Sequence, residues 1–337
     1  MNNTSMTTHL STVEEQAFGA MTEPYRRELQ VHCYRMMGSV QDAEDMVQET
    51  FLRAWRRRDS YEGRASLRAW LYKIATNACL DALDKRVRRV VPFTRGEAST
   101  LDEPIPAVVK EPIWLEPYPD EYLIWDDAGP DGHLVERENI TLAFITVLHL
   151  LPPRQRAVLI LRDVLEWEAS EVADLLGTTV ASVKSALHRA RETMAAHKRA
   201  NLEGTAPQLL DDTRQSQLEA YVQAWQTADI NGLMALLRED ATFSMPPIPS
   251  WYQGRTTIAG LLGKTIFGGE ANGRWRLIPT RANGQIAFGL YRKDAAKGNY
   301  TAYAIQVLTF SEDRQIADII TFRSPGLVGK FGLAETI

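Results

Sequence analysis

Leu150–Met194, LLPPRQRAVLILRDVLEWEASEVADLLGTTVASVKSALHRARETM, is the stretch whose reading decides the fold. Its apolar residues fall at helical spacing in three blocks: Ala157, Val158, Leu161, Val164 and Leu165; then Val172, Ala173 and Leu176; then Val180, Val183, Leu187 and Ala190. Each block carries one core-facing stripe, so three short helices are expected. Only Gly177, Thr178 and Thr179 separate the second from the third. A glycine there takes the left-handed C-terminal conformation and a threonine caps the next helix, which makes a helix-turn-helix. With the third stripe turned inward, that helix presents Lys184, Ser185, His188, Arg189 and Arg191 on its outer face and flank. Lysine and arginine reach guanine edges or phosphates, and a serine hydroxyl bonds either, as suits a helix lying in a DNA major groove. A solvated basic face on a small bundle is the alternative that this helix alone leaves open.

The rest of the chain narrows the choice. At 337 residues it holds two or three domains, and 45% hydrophobic with 24% charged residues argues against wholesale disorder. Two cysteines, Cys33 and Cys79, with no CxxC pair argue for a reducing compartment and against a structural zinc site. The longest apolar run, Leu142–Leu151, is interrupted by His149 and too short to span a bilayer. The opening MNNTSMTTHLSTVEE lacks the basic and apolar blocks of a signal peptide, so residues 1–12 read as a loose tail and a cytoplasmic location is expected. A net charge of −5, evenly spread, would disfavour nucleic-acid binding, but it is sorted by segment. Residues 51–95 carry twelve Lys/Arg against four Asp/Glu, and residues 96–140 carry two against twelve.

Residues 13–92 read as helical, with helices over Arg26–Met37, Asp42–Arg58 and Leu67–Arg89. In the second, Ala43, Met46, Val47, Phe51, Ala54 and Trp55 form one stripe, leaving Asp45, Gln48, Glu49, Arg53, Arg56 and Arg57 elsewhere on the helix. In the third, Trp70, Leu71, Ile74, Ala75, Ala78 and Leu83 point inward, while Asn77, Asp81, Arg86, Arg88 and Arg89 point outward.

DAEDMVQETFLRAWRR followed by SLRAWLYKIATNACLDALDKR resembles domain two of the bacterial extracytoplasmic-function sigma factors, of the sigma-70 family. LPPRQRAVLILRDVLEWEASEVADLLGTTVASVKSALHRARE resembles their domain four, about 60 residues further on. The resemblance implies a protein that binds core RNA polymerase and promoter DNA. Asp45, Gln48 and Glu49 match the surface that docks the clamp helices of the largest polymerase subunit, and an acidic and amide face suits a basic partner. The loop Tyr61–Ser66 with Asn77 and Asp81 matches the part that holds a base flipped from the minus-10 element, with Arg64, Arg86 and Arg88 placed for its backbone. Lys184, Ser185, His188 and Arg189, with Arg191, align with the readers of the minus-35 element in a domain spanning residues 137–200. Lys184 stands where many members have arginine, a better bidentate reader of guanine, which leaves the promoter sequence open.

Between these blocks, residues 93–136 form an acidic linker with prolines at 104, 106, 112, 117, 119 and 130, expected to run extended over a surface. Its aromatics and negative charge fit three situations: an ordinary solvated linker, the RNA exit channel of polymerase, or docking of WLEPYP on the C-terminal domain. WLEPYPD also resembles the SigG-like subgroup of these factors, which carries an extra C-terminal domain.

After a polar joint, residues 201–214, the segment 215–337 supplies that domain. An amphipathic helix over Gln217–Arg238, a short strand ATFSMPP, a helix near Thr257–Lys264 and four strand-like runs predict an α+β domain with an antiparallel meander. The order of elements is similar to a SnoaL-like cone of the nuclear-transport-factor superfamily, with a curved sheet. Many relatives of that fold are enzymes, yet no histidine follows His197, and the inward-looking candidates Trp225, Phe243, Met245, Trp251, Trp275, Phe288, Tyr291 and Tyr303 are apolar or aromatic. No catalytic residue, metal or cofactor is therefore expected, and Asp240 at a helix end is the one acid weighed. The tail residues Leu327, Val328, Phe331 and Leu333 have no strand left to bury them, and either pack on domain two or the linker or fold back on their own domain. The expectation is a multidomain sigma factor, two all-α domains followed by an α+β regulatory domain; the alternatives are a SnoaL-like enzyme or sensor with a DNA-binding appendage, and a simple repressor.

Overall fold

The computed structural model describes residues 14, 16–61, 63, 66–84, 89–91, 96–109, 114–123, 140–201 and 212–337. The expected N-terminal tail, most of the joint and linker residues 124–136 lie outside them. The chain divides into two compact units, one drawn from residues 1–88, 122–125 and 151–193, the other from 89–121, 126–150 and 194–337.

The first unit begins with α1 (Arg26–Met37), α2 (Val40–Arg56) and α3 (Leu67–Leu83). Gly38, at φ 71°, ends α1 with its N–H on the Tyr34 carbonyl, and the Ser39 hydroxyl caps α2 by accepting the Asp42 N–H at 3.2 Å. Ser66 caps α3 in the same way, through Ala69 N–H at 3.1 Å. Of the expected stripes, Ala43, Val47 and Ala54 on α2 and Leu71, Ile74, Ala75 and Ala78 on α3 are buried, while Met46, Phe51, Trp55, Trp70 and Leu83 are half-buried. Cys33 and Cys79 are buried, reduced neighbours, and the hydrogen bond between them pushes the Cys33 thiol up. Helix α3 stops at Leu83 rather than Arg89; Asp84 caps it by bonding its N–H to the Leu80 carbonyl, and residues 85–88 are not described.

Helices α5 (Pro153–Leu159), α6 (Ala169–Leu176) and α7 (Val180–Asn201) follow from the quoted stretch, while α4 (Leu142–Leu148) belongs to the second unit. Proline at the start of α5 loses no hydrogen bond there. A π-helical turn, Ile160–Val164, continues α5, and its wider pitch rotates the stripe: Leu161 stays buried but Val164 and Leu165 are only half-buried. Gly177 takes φ 60° and Thr179 Oγ1 accepts the Ser182 N–H at 3.1 Å, as expected of the turn. The third helix is not short, at 22 residues, and burial begins at Val183, leaving Val180 exposed in its first turn. Within the same unit α5 packs on α1 and α3, and α6 on α3. Arg156, 2% exposed, donates to the carbonyls of Met36 and Leu151, Tyr72 meets Trp167 with ring centroids 5.4 Å apart, and Lys73 Nζ bonds the Asp174 carbonyl at 3.2 Å.

In the second unit the helix expected over Gln217–Arg238 is two, α8 (Asp212–Thr227) and α9 (Ile230–Leu236). Ala228 turns left-handed at φ 57°, and the Asp229 carboxylate restarts the helix by accepting the Gly232 N–H at 2.9 Å. Leu237 already belongs to a strand. Strands β1 (Leu237–Ser244), β2 (Trp251–Gln253), β3 (Trp275–Ala282), β4 (Gln285–Lys293), β5 (Tyr300–Phe310) and β6 (Ile316–Phe322) form one sheet in the order β2-β1-β6-β5-β4-β3, with α10 (Arg255–Lys264) between β2 and β3. The β3–β6 meander is antiparallel, but β1 lies parallel to β6, so the sheet is mixed; a pair so distant in sequence needs no hairpin.

The linker is extended and docked. Ser99 N–H bonds the Trp251 carbonyl at 2.8 Å, Val109 N–H the Pro247 carbonyl at 3.1 Å, and Val90 pairs in parallel with Trp114. Trp114, Leu115 and Tyr118 are buried, and Tyr118 N–H donates to Asn283 Oδ1 at 2.7 Å. Asn283, left-handed in the β3–β4 turn, also donates to the Ile140 carbonyl at 2.7 Å, and Gln285 Oε1 accepts the Leu142 N–H that opens α4. Of the three situations weighed for WLEPYP, the described chain adopts docking on the C-terminal domain. The tail folds back on its own domain: α11 (Pro325–Lys330) packs on β5, Leu327, Val328 and Phe331 are buried, and Ile337 pairs with Tyr300. Among the described residues no helix is long and apolar enough to cross a membrane.

Candidate polymerase and nucleic-acid interfaces

On α7, Lys184, Ser185, His188 and Arg189 are all exposed on one face. Arg189 Nη1 donates to Ser185 Oγ at 3.0 Å, which extends the guanidinium along the helix, and His188 lies 3.4 Å from Glu192. Arg191 differs. Its guanidinium forks onto both oxygens of Asp163, at 2.9 and 2.7 Å, tying the π-turn to the recognition helix.

On α2, Asp45 and Gln48 are exposed and Glu49 is half-buried. Gln41 Nε2 donates to Asp45 Oδ1 at 3.1 Å. Arg53 bonds Glu49 Oε1 through Nε at 2.7 Å and Asp81 Oδ2 through Nη1 at 2.8 Å, so one guanidinium links a residue expected to face polymerase with one expected to face DNA. Both carboxylates raise the pKa of Arg53, which stays charged. Asn77 Nδ2 caps the Lys73 carbonyl at 2.9 Å, one turn back on α3. Arg64, Arg86 and Arg88 lie outside the described residues.

The aromatic candidates of the C-terminal domain do not line one cavity. Trp225, Phe243, Met245 and Trp275 are buried in the core, where Trp225 meets Trp275 edge-on with centroids 6.2 Å apart. Trp251 is half-buried and donates Nε1–H to the Gly96 carbonyl at 3.1 Å. The Tyr291 hydroxyl bonds the Ala334 carbonyl at 2.7 Å, and Tyr303 stacks edge-on against Trp275 at 5.1 Å. Large rings reward burial, so these pack into the core of the domain. An open volume of about 520 Å³ lies between α8 and the β3–β4 strands, where Leu218, Val222, Pro279, Ile286 and Phe288 form apolar walls and Arg281 supplies a cation. Its signal in the sequence was the Leu218/Val222 spacing on α8, but the strand faces opposite depend on register.

Asp240 stands exposed in β1, paired with Arg238. The acid that sequence reasoning missed is Asp318 on β6, half-buried and bonded by the Thr242 hydroxyl. Desolvation outweighs that bond and the Ile319 N–H, and pushes its carboxyl up to about 6. A folded pKa above the unfolded one means that the carboxyl weakens the fold as pH rises from about 4 through about 6. Asp318→Asn, which keeps an acceptor for Thr242, is therefore expected to stabilise the protein by about 1–2 kcal/mol at pH 7.5 and to change little at pH 4. Equal stabilisation at both values in thermal melts would show that charge is not the cause. Among the described residues no cluster of His, Cys, Asp and Glu could hold a metal ion.

Comparison with known proteins locates these elements within families. Profiles match for Sigma-70 region 2 over residues 21–89, Sigma-70, region 4 over residues 141–194, and a SnoaL-like domain over residues 218–319. The chain is similar to the ECF RNA polymerase sigma factor SigG of Mycobacterium tuberculosis, at 42% identity over 95% of this chain and 85% of the relative. It is 30% identical to SigW of Bacillus subtilis over 54% of this chain and 88% of that protein. Among solved structures, the extracytoplasmic function sigma factor SigJ of Mycobacterium tuberculosis shares the fold with a TM-score of 0.57 and 22% identity, covering 94% of this chain and 99% of that one.

Proposed function

The chain belongs to the extracytoplasmic-function sigma factors of the sigma-70 family, and on that premise we propose how its parts share the work of directing promoter-specific initiation by bacterial core RNA polymerase. Residues 13–92 bind the core enzyme through Asp45, Gln48 and Glu49 and take the minus-10 element through Arg64, Asn77, Asp81, Arg86 and Arg88. Residues 137–200 read the minus-35 element with Lys184, Ser185, His188, Arg189 and Arg191, the last also forked onto Asp163. The C-terminal domain, through the linker docked on it, governs when those faces meet a promoter. No chemistry is asked of it, since polymerase carries the catalysis, and the protein works in the cytoplasm beside polymerase.

The observation that carries this reading is the row of four exposed side chains on α7, presented immediately after a glycine-closed turn. The promoter elements, by their positions, stand about 25 base pairs apart, or about 85 Å at 3.4 Å per pair. A compact body of the first unit's residue count has a radius of gyration of about 14 Å. Domains two and four, packed through Arg156 and Tyr72–Trp167, must therefore part before both elements are held.

In vitro transcription with core polymerase on a pool of promoter fragments tests the assignment. Lys184→Ala with Arg189→Ala is expected to lower specific initiation at least tenfold, since each base contact is worth about 1–3 kcal/mol, without loss of core binding. Asp45→Ala with Gln48→Ala should also lower initiation, but through weakened core binding. Initiation untouched by either pair would remove these faces from the mechanism.

A further inference from the structure

The β3–β4 turn holds a carboxylate cradle at the edge of the apolar cleft. Asp120 of the docked linker accepts Arg281 Nε–H at 3.2 Å on one oxygen and the Gly284 N–H at 2.7 Å on the other. The Gly284 carbonyl in turn accepts Arg281 Nη2–H at 3.0 Å, which fixes the plane of the guanidinium. Arg281 keeps further donors on the same fork and is also the cation of the 520 Å³ cleft walled by Leu218, Val222, Pro279, Ile286 and Phe288. One arginine therefore belongs to two sites, a carboxylate seat filled by the chain itself and a cleft of the size small apolar ligands occupy.

We infer that this cleft binds an amphipathic carboxylic acid, its aliphatic body between α8 and the sheet and its carboxylate on Arg281, in competition with Asp120. The cleft's own acid, Glu219, does not oppose this: it is exposed to water on α8 and engaged by Gln215 Nε2–H at 3.1 Å. A carboxylate is the group the seat already selects, and an aliphatic chain gains by leaving water for walls of leucine, valine, isoleucine and phenylalanine. When the ligand takes Arg281, Asp120 loses its bond to that guanidinium, and the linker residues that follow Trp114 are loosened from the turn. The inference concerns this domain and its linker alone, and holds whatever promoter the chain serves.

Calorimetric titration of the full-length protein with decanoate, decan-1-ol and decylamine decides it. Decanoate is expected to bind at least tenfold more tightly than either analogue. Asp120→Asn, which removes the internal competitor's charge, should tighten decanoate several-fold, and Leu218→Trp, which fills the cleft, should abolish binding. Hydrogen exchange gives the second readout: the Tyr118 amide, held on Asn283 Oδ1, should exchange faster with decanoate present. Equal binding of the three compounds, or binding indifferent to Leu218→Trp, would mean adsorption to an apolar surface and overturn the inference. Tight decanoate binding that left the Tyr118 amide unchanged would overturn the competition with the linker.

Discussion

Replacing Arg156 by methionine should lower the stability of the first unit by about 2–4 kcal/mol and separate its two halves. The guanidinium is almost fully enclosed and donates to the Met36 carbonyl at the end of α1 and to the Leu151 carbonyl ahead of α5. Methionine fills much of the same volume, so the cavity cost is small. What is lost is the donor: two enclosed carbonyls are left unpaired, at about 1–3 kcal/mol each. Because α5 meets α1 and α3 around this side chain, the loss falls on the packing between domains two and four. Two measurements follow. Denaturant unfolding should show the loss of stability, and a fluorophore pair on α2 and α7 should report a greater separation in Arg156→Met than in the parent. If the fluorophore distance is unchanged while stability falls, Arg156 is a core brace only and the packing of the two domains does not depend on it.

Acid is expected to weaken the same unit strongly through His32. This ring is fully buried, its Nε2 lies 2.9 Å from Thr76 Oγ1, and enclosure, helped by the positive charge of Arg35, lowers its pKa to about 3. Unfolded, it titrates near 6.5. The sign follows from linkage: above 6.5 both states are neutral at this site, and below it the unfolded chain takes up a proton that the folded chain refuses until about 3. Stability is thus complete above 6.5 and declines on acidification, by about 3 kcal/mol at pH 4.5. His32→Gln, which retains a partner for Thr76, should flatten that slope while lowering stability at pH 7.5. A slope identical to the parent's would clear His32 of the effect. Asp318 titrates in the opposite sense in the second unit, so acid should weaken one unit while relieving the other, which two resolved unfolding transitions would display.

Much of this protein could be read before any coordinates. Gly177 and Thr179 spelled out the turn between α6 and α7, and the family profiles fall on the same two blocks that carried the sigma resemblance, while the structure adds the Ser39 and Ser66 caps and starts α2 at Val40 rather than Asp42. These features are local: a glycine in a left-handed turn, a hydroxyl on the N–H three residues on, and apolar residues recurring at 3.6 need nothing beyond their own segment. The exposure of Lys184, Ser185, His188 and Arg189 follows from that period once Val183, Leu187 and Ala190 are buried.

The sequence could not place what depends on residues far apart. Nothing in the spacing around Ala228 announced its left-handed break, because alanine rarely turns that way unless the surrounding packing holds it. The π-turn after Leu159 shifted a stripe that a regular helix would have kept in line. Arg191 counts as a DNA reader by position alone, and only the fold brings Asp163 to it. The aromatic residues were legible as core, but whether they enclosed a cavity or filled it depended on how the helices lay over the sheet. So the sequence by itself determined the elements, their caps and the outward face of the reading helix, since those are short-range consequences of backbone preference and hydrophobic period. Only the tertiary structure decided that WLEPYP docks on the C-terminal domain, that the tail folds back on β5, that β1 runs beside β6, and that Asp120 seats on Arg281, since each joins partners that no local preference brings together.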